Sequence, residues 1–265
     1  MAATLVIRDL SESAAPWALD IHLPEGDGPF PLLVWIHGGG WHSGTRDIDF
    51  AEPYLRSGFA LASIGYRLTS GGSCFPAPIE DCVAAVAWLQ QNAARWNIDC
   101  ARLGVFGHSA GGHLASLVAL ASVGATPFTR PGLRPFSRVL VWSGPLNLAR
   151  EAGGWPRSTF AWNPDDAYCR TFFPGGAYDE EFAAWASPSS YLSPAMPPTL
   201  VIHGRDDSLV PWEQARDFAG NLRALGVDAS FELIPGAGHD IISEERHRQA
   251  REFFSPLNPE AAPAA

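Results

Sequence analysis

Apolar residues along the chain occur in two kinds of segment: short, near-continuous runs of strand length, and longer stretches in which they recur every three or four positions. The first kind predicts strands at 3–9, 17–23, 31–36, 59–64, 103–106, 138–142, 199–202 and 228–234. The second predicts helices at 48–57, closed by Gly58, and at 78–95, 110–121, 211–225 and 243–254. Residues 78–95 carry the clearest pattern, with Ile79, Cys82, Val83, Val86 and Leu89 on one face and Pro78 suited to the first turn. This alternation of strand and helix implies a mostly parallel sheet of about eight strands covered by helices on both faces, an α/β fold.

The pattern breaks between Gly144 and Pro194, where Gly, Pro and Asp alternate with Trp155, Phe160, Trp162, Tyr168, Phe172, Phe173, Tyr178, Phe182 and Trp185. A connection this long is uncommon inside a compact domain unless it carries a function. Residues 145–190 therefore read as a lid-like insertion with short helices, folded over the carboxyl edge of the sheet, where open α/β sheets bind ligands. The alternative is a surface insertion packed on its own aromatics. Residues 1–255 are expected to form a single domain, with 256–265 as a frayed tail.

The 265 residues, 46% hydrophobic and 17% charged, can bury a sizeable core, which excludes a mostly disordered chain. A net charge of −10 without any Lys/Arg run argues against a nucleic-acid partner. Cys74, Cys82, Cys100 and Cys169 form neither a C-x-x-C pair nor a zinc-finger spacing, so reduced, buried thiols are expected, with one bridge as the alternative. Met1 to Ile7 shows no basic n-region, and no apolar stretch has membrane-spanning length; the expectation is a cytoplasmic protein without a membrane span.

Candidate chemistry concentrates in the loops after the strands. Gly107-His108-Ser109-Ala110-Gly111 matches G-x-S-x-G between a short strand and an Ala-rich helix, the context in which a strained turn exposes a serine hydroxyl. A serine is a poor nucleophile until a base takes its proton, and His239, in the glycine-rich loop after the last strand, is placed to do so. An acid to orient that histidine belongs after the preceding strand, where Asp206 and Asp207 compete; Asp207 is preferred at the fourth position after His203, as in H-G-x-x-D segments. The order Ser109, Asp207, His239 is the one used by the fold that carries G-x-S-x-G turns.

Backbone amides for an oxyanion come from His37-Gly38-Gly39-Gly40-Trp41, with Gly39 or Gly40 expected as first donor, Trp41 if the loop is rotated by one residue, and Ala110 completing the pair. His108, Trp142, Trp162 and Val210 are the expected substrate contacts. His37, His203 and His113 read as structural, His42 as an exposed loop histidine, and His22 and His247 have no context; no trio resembles metal ligands.

These motifs, with Phe75-Pro76-Ala77, Glu80-Asp81, Asn97-Ile98-Asp99 and Arg102, make most of the chain resemble the esterase/lipase group of α/β-hydrolases, near the hormone-sensitive-lipase-like and small feruloyl or acetyl-xylan esterase-like families. The resemblance implies an α/β-hydrolase fold, an acyl-enzyme route on a small ester substrate, and no metal or organic cofactor. The short N-terminal region leaves no room for the helical cap of hormone-sensitive-lipase relatives, and the lack of a visible secretion signal weighs against a plant-polysaccharide substrate. Arylformamidases that cleave formyl-kynurenine resemble the same group and remain an alternative. A peptidase is disfavoured for want of a propeller domain, and a non-catalytic binder is the reading from another class. Association as a homodimer stays open.

Overall fold

The computed structural model describes residues 5–12, 14–149 and 167–259. Eight strands form one sheet: β1 (Leu5–Leu10), β2 (Ala18–Leu23), β3 (Phe30–Ile36), β4 (Ala60–Gly65), β5 (Ile98–His108), β6 (Arg138–Trp142), β7 (Thr199–Gly204) and β8 (Ala229–Ile234), in the order β1-β2-β4-β3-β5-β6-β7-β8. The β1–β2 and β2–β4 pairs are antiparallel, and every other pair is parallel. Seven helices accompany them among the described residues: α1 (Ala51–Arg56), α2 (Ala77–Asn92), α3 (Ala110–Ser122), α4 (Ala167–Phe172), α5 (Glu180–Ala186), α6 (Glu213–Ala224) and α7 (Glu244–Phe254).

The near-continuous apolar runs follow from burial on both faces, because successive side chains of a strand point to opposite sides. From β3, Leu32, Val34 and Ile36 join a core with residues of α2, α3 and α6, whereas Leu33 and Trp35 join a second core with α1, α7 and Leu257. Helix α3 lies in the middle of the first layer and is buried at every position, which explains why it is apolar all round rather than amphipathic. Strand β5 is longer than the four-residue run at 103–106, because Ile98 and Asp99 also pair with Phe30 and Pro31 before the register shifts.

Of the tail expected to fray from Pro256, the described residues 256–259 begin packed: Ser255–Leu257 forms a 3-10 turn, Leu257 is buried, and Asn258 donates its side-chain amide to the Ser57 carbonyl at 3.1 Å. Of the 145–190 insertion, residues 167–190 carry α4, α5 and short 3-10 turns, while Trp155, Phe160 and Trp162 lie outside the described residues. Cys74, Cys82 and Cys100 are free thiols. No helix of the described residues is long and apolar enough to cross a membrane.

Candidate active site

Ser109 sits between β5 and α3 with φ 56° and ψ −124°, a conformation that L-residues adopt only under constraint. The turn is held by the Ser109 amide donating to the Trp142 carbonyl at 2.8 Å and the Ser109 carbonyl accepting from the His113 amide at 3.1 Å. Its flanking glycines are steric necessities. A β-carbon at Gly111 would stand 2.0 Å from the Ile36 carbonyl oxygen, and one at Gly107 would stand 2.4 Å from the Gly111 carbonyl.

The three residues read from the sequence as nucleophile, base and acid meet here. His239 Nε2 lies 2.9 Å from Ser109 Oγ, and His239 Nδ1 lies 2.7 Å from Asp207 Oδ2. A carboxylate can only accept, so Nδ1 carries the ring proton and Nε2 presents its lone pair to the serine hydroxyl. Asp206 is exposed on the same turn and takes no part in this series. Burial by itself would raise the Asp207 carboxyl, but hydrogen bonds from His203 and His239, the adjacent His239 charge and the Val210 amide hold it well below the usual carboxylate range.

The glycine loop after β3 runs beside the serine, and a β-carbon at Gly38 would stand 3.3 Å from that of Ser109. Gly39, Gly40 and Trp41 all have positive φ, 103°, 60° and 57°, so the backbone curls into a turn closed by the His42 and Ser43 amides on the Gly39 carbonyl. Among the described residues, no hydrogen bond occupies the amides of Gly39, Gly40 or Trp41. Four contacts fix the loop from outside. The Tyr66 ring stacks on His37 at 4.3 Å and its hydroxyl donates to the His37 carbonyl at 3.0 Å. Thr69 donates its amide to the Trp41 carbonyl at 2.9 Å, and Trp41 Nε1–H donates to His113 Nδ1 at 3.2 Å.

That last bond assigns a role the sequence reading missed. His113 is fully buried, and its Nε2–H donates to the Ala186 carbonyl at 2.8 Å, so one ring ties the glycine loop, α3 and the end of α5 together. Burial lowers its pKa to about 4, which keeps the ring neutral and leaves Nδ1 free to accept. A tryptophan closing H-G-G-G-W and a histidine two residues after G-x-S-x-G were the available signal; only the fold brings them into contact.

The expected substrate contacts fare differently. Trp142 is fully buried against Trp35 and Phe106 in the second core, under the sheet, and does not line the site. His108 Nε2–H donates to the His239 carbonyl at 3.1 Å, so it holds the histidine loop. Val210 is buried, and its amide donates to Asp207 Oδ1 at 2.9 Å. Trp162 lies outside the described residues. His42 is not a free loop side chain but joins Thr171 of α4 at 3.2 Å. Phe172 of the same helix packs its ring 4.5 Å from Trp41 and 5.0 Å from Phe75, which seats the described part of the insertion on the glycine loop at the carboxyl edge. Among the described residues no cluster of three His, Cys, Asp or Glu side chains could hold a metal ion.

A mostly parallel eight-stranded sheet, helices on both faces and a strained serine turn after its central strand define the α/β-hydrolase fold. The family model described as BD-FAE matches residues 19–222, and the chain belongs to that family. It is 30% identical over 234 residues to "Esterase LipQ" of Mycobacterium tuberculosis, covering 85% of this chain and 54% of that protein. It is 31% identical over 221 residues to "Esterase LipC" of the same organism, covering 80% and 53%. The chain thus spans about half the length of these curated relatives. Among solved structures, a truncated carbohydrate esterase from gut microbiota superposes with a TM-score of 0.82 at 22% identity over 97% of each chain.

Proposed function

We propose that the protein is a serine carboxylesterase that hydrolyses short-chain or aryl esters through an acyl-enzyme intermediate. The observation that carries this reading is the unbroken series Ser109 Oγ, His239 Nε2, His239 Nδ1, Asp207 Oδ2, with links of 2.9 and 2.7 Å. In this reading Ser109 Oγ attacks the ester carbonyl carbon while His239 Nε2 takes its proton, and Asp207 stabilises the imidazolium that forms. The amides of Ala110 and of Gly39 or Gly40, or of Trp41, face the developing oxyanion, and the α3 N-terminus adds its dipole. His239 returns the proton to the departing alkoxide, and water then repeats the sequence on the acyl-serine. No step calls on a metal or an organic cofactor. The names of the mycobacterial relatives support ester hydrolysis, and the described part of the insertion, resting on the glycine loop, supports a lid role for it.

The test is hydrolysis of a p-nitrophenyl ester series from acetyl to dodecanoyl, with an aryl diester and N-formylkynurenine alongside. Turnover of short or aryl esters is expected, with Ser109→Ala lowering kcat by about 10⁵–10⁶-fold. Formamide turnover exceeding ester turnover by orders of magnitude would replace esterase by arylformamidase, and a fully active Ser109→Ala would sink the serine mechanism.

A further inference from the structure

Asp207 is held by two imidazoles, not one. His203, the penultimate residue of β7, places Nε2 at 2.9 Å from Asp207 Oδ2, the same oxygen that His239 Nδ1 approaches at 2.7 Å. The same Nε2 lies 3.0 Å from the Val210 carbonyl oxygen. Both neighbours of His203 Nε2 can only accept, so this nitrogen carries the proton and donates to both in a three-centre bond. The other ring nitrogen, Nδ1, is buried without a partner, which agrees with a bare lone pair and would be costly for an N–H. Both His203 and Asp207 side chains are fully inaccessible.

The other oxygen, Oδ1, accepts the Leu209 and Val210 amides at 2.8 and 2.9 Å. The carboxylate therefore receives four donors, two per oxygen, and its plane cannot turn. We infer that His203 is a positioning residue, which fixes Asp207 and divides the charge of Oδ2 between itself and His239. The inference rests on the serine-esterase reading for its kinetic consequence, but not for its geometry.

The remaining groups around the carboxylate do not duplicate this role. Arg205 and Asp206, on the same turn, are exposed, as is Asp240 next to His239. His108, from the serine turn, reaches the His239 carbonyl rather than Asp207. Taking away the His203 donor leaves the full charge of Oδ2 on His239 Nδ1–H, which favours the imidazolium. It also frees the carboxylate to turn out of the plane that suits His239.

His203→Phe removes the donor while keeping a ring, and His203→Gln returns an N–H at the same number of bonds from the main chain. With a p-nitrophenyl ester, His203→Phe is expected to lower kcat by about tenfold, the rate equivalent of one net hydrogen bond, with KM within about twofold. The acid limb of kcat/KM should move to higher pH, and His203→Gln should move both back towards the parent. A folded His203→Phe with the parent profile would overturn the inference, as would Gln behaving like Phe. Should the Phe variant not fold, ¹⁵N spectra of histidine-labelled parent protein decide: an Nε2–H tautomer at His203 supports it and an Nδ1–H tautomer overturns it. Failure of the underlying reading looks different, since a parent protein that turns over no ester leaves the tautomer measurement intact.

Discussion

Ser109 at φ 56° is a strained residue wedged between two glycines that admit no side chain. Gly111→Ala puts a β-carbon against the Ile36 carbonyl, where strand and helix must part. The expected loss is about 3 kcal/mol or more, read by urea unfolding, or failure to accumulate folded protein. His113 sets a pH dependence. The unfolded chain takes up a proton on this ring near 6.5 and the folded chain only near 4, so the ring contributes stability above pH 6.5 that is lost as pH falls towards 4. The loss is on the order of 3 kcal/mol, and urea titrations between pH 8 and about pH 4.5 should show it, with the slope reduced by about one proton in His113→Gln. The depressed Asp207 carboxyl acts lower, contributing stability above the unfolded carboxylate range, about pH 4, and losing it as pH falls further. The chemistry of Ser109, His239 and Asp207 was legible because each stands in a short motif with its own loop. The roles of His108 and His113 were not, because each depends on a partner 131 or 72–73 positions away that no local pattern names; His203 stands in the same H-G-x-x-D segment as Asp207, but the spacing does not say that the two side chains bond.

At the scale of elements, the glycine loop is tied on three sides, to Tyr66, to α3 through His113, and to α4. Phe172 is the buried pin of α4, in contact with Trp41 and Phe75. Phe172→Ala should cost about 3–5 kcal/mol in urea unfolding and raise KM for aryl esters more than it lowers kcat, because the reacting groups sit on other elements. Equal loss in kcat and kcat/KM with an unchanged KM would contradict that division. Arg67, just after β4, makes a two-pronged pair with buried Asp81 of α2, at 2.7 to 3.0 Å. This bond spans the segment that delivers Thr69 to the Trp41 carbonyl, so Asp81, read from the sequence only as part of a resemblance, braces the loop through Arg67.

Across the whole molecule, one sheet separates two cores, and the chain closes by laying Leu257 into the second of them. Arg102 reaches the Leu257 carbonyl at 3.4 Å, and Asn258 reaches Ser57 beyond α1. Leu257→Ala should lower unfolding stability by about 2–3 kcal/mol while leaving kcat and KM for small esters unchanged, since the residue lies on the face away from the glycine-loop core. Thermal and urea unfolding with parallel kinetics measure both halves of that expectation; a change in KM would mean that the two layers are coupled through the sheet.

Local order was written into the chain itself. Strand and helix positions followed from apolar spacing because burial on both faces of a sheet leaves unbroken runs, and the serine turn followed from glycines that sterics alone require. What needed the tertiary structure was every relation between distant segments. The Trp41–His113 bond, the hold of His108 on the His239 loop, the burial of Trp142 beneath the sheet and the contact of Asn258 with Ser57 all arise where strands brought side by side decide which polar atoms are left to pair. Hydrogen-bond partners are chosen by distance in space, and only the folded sheet sets that distance.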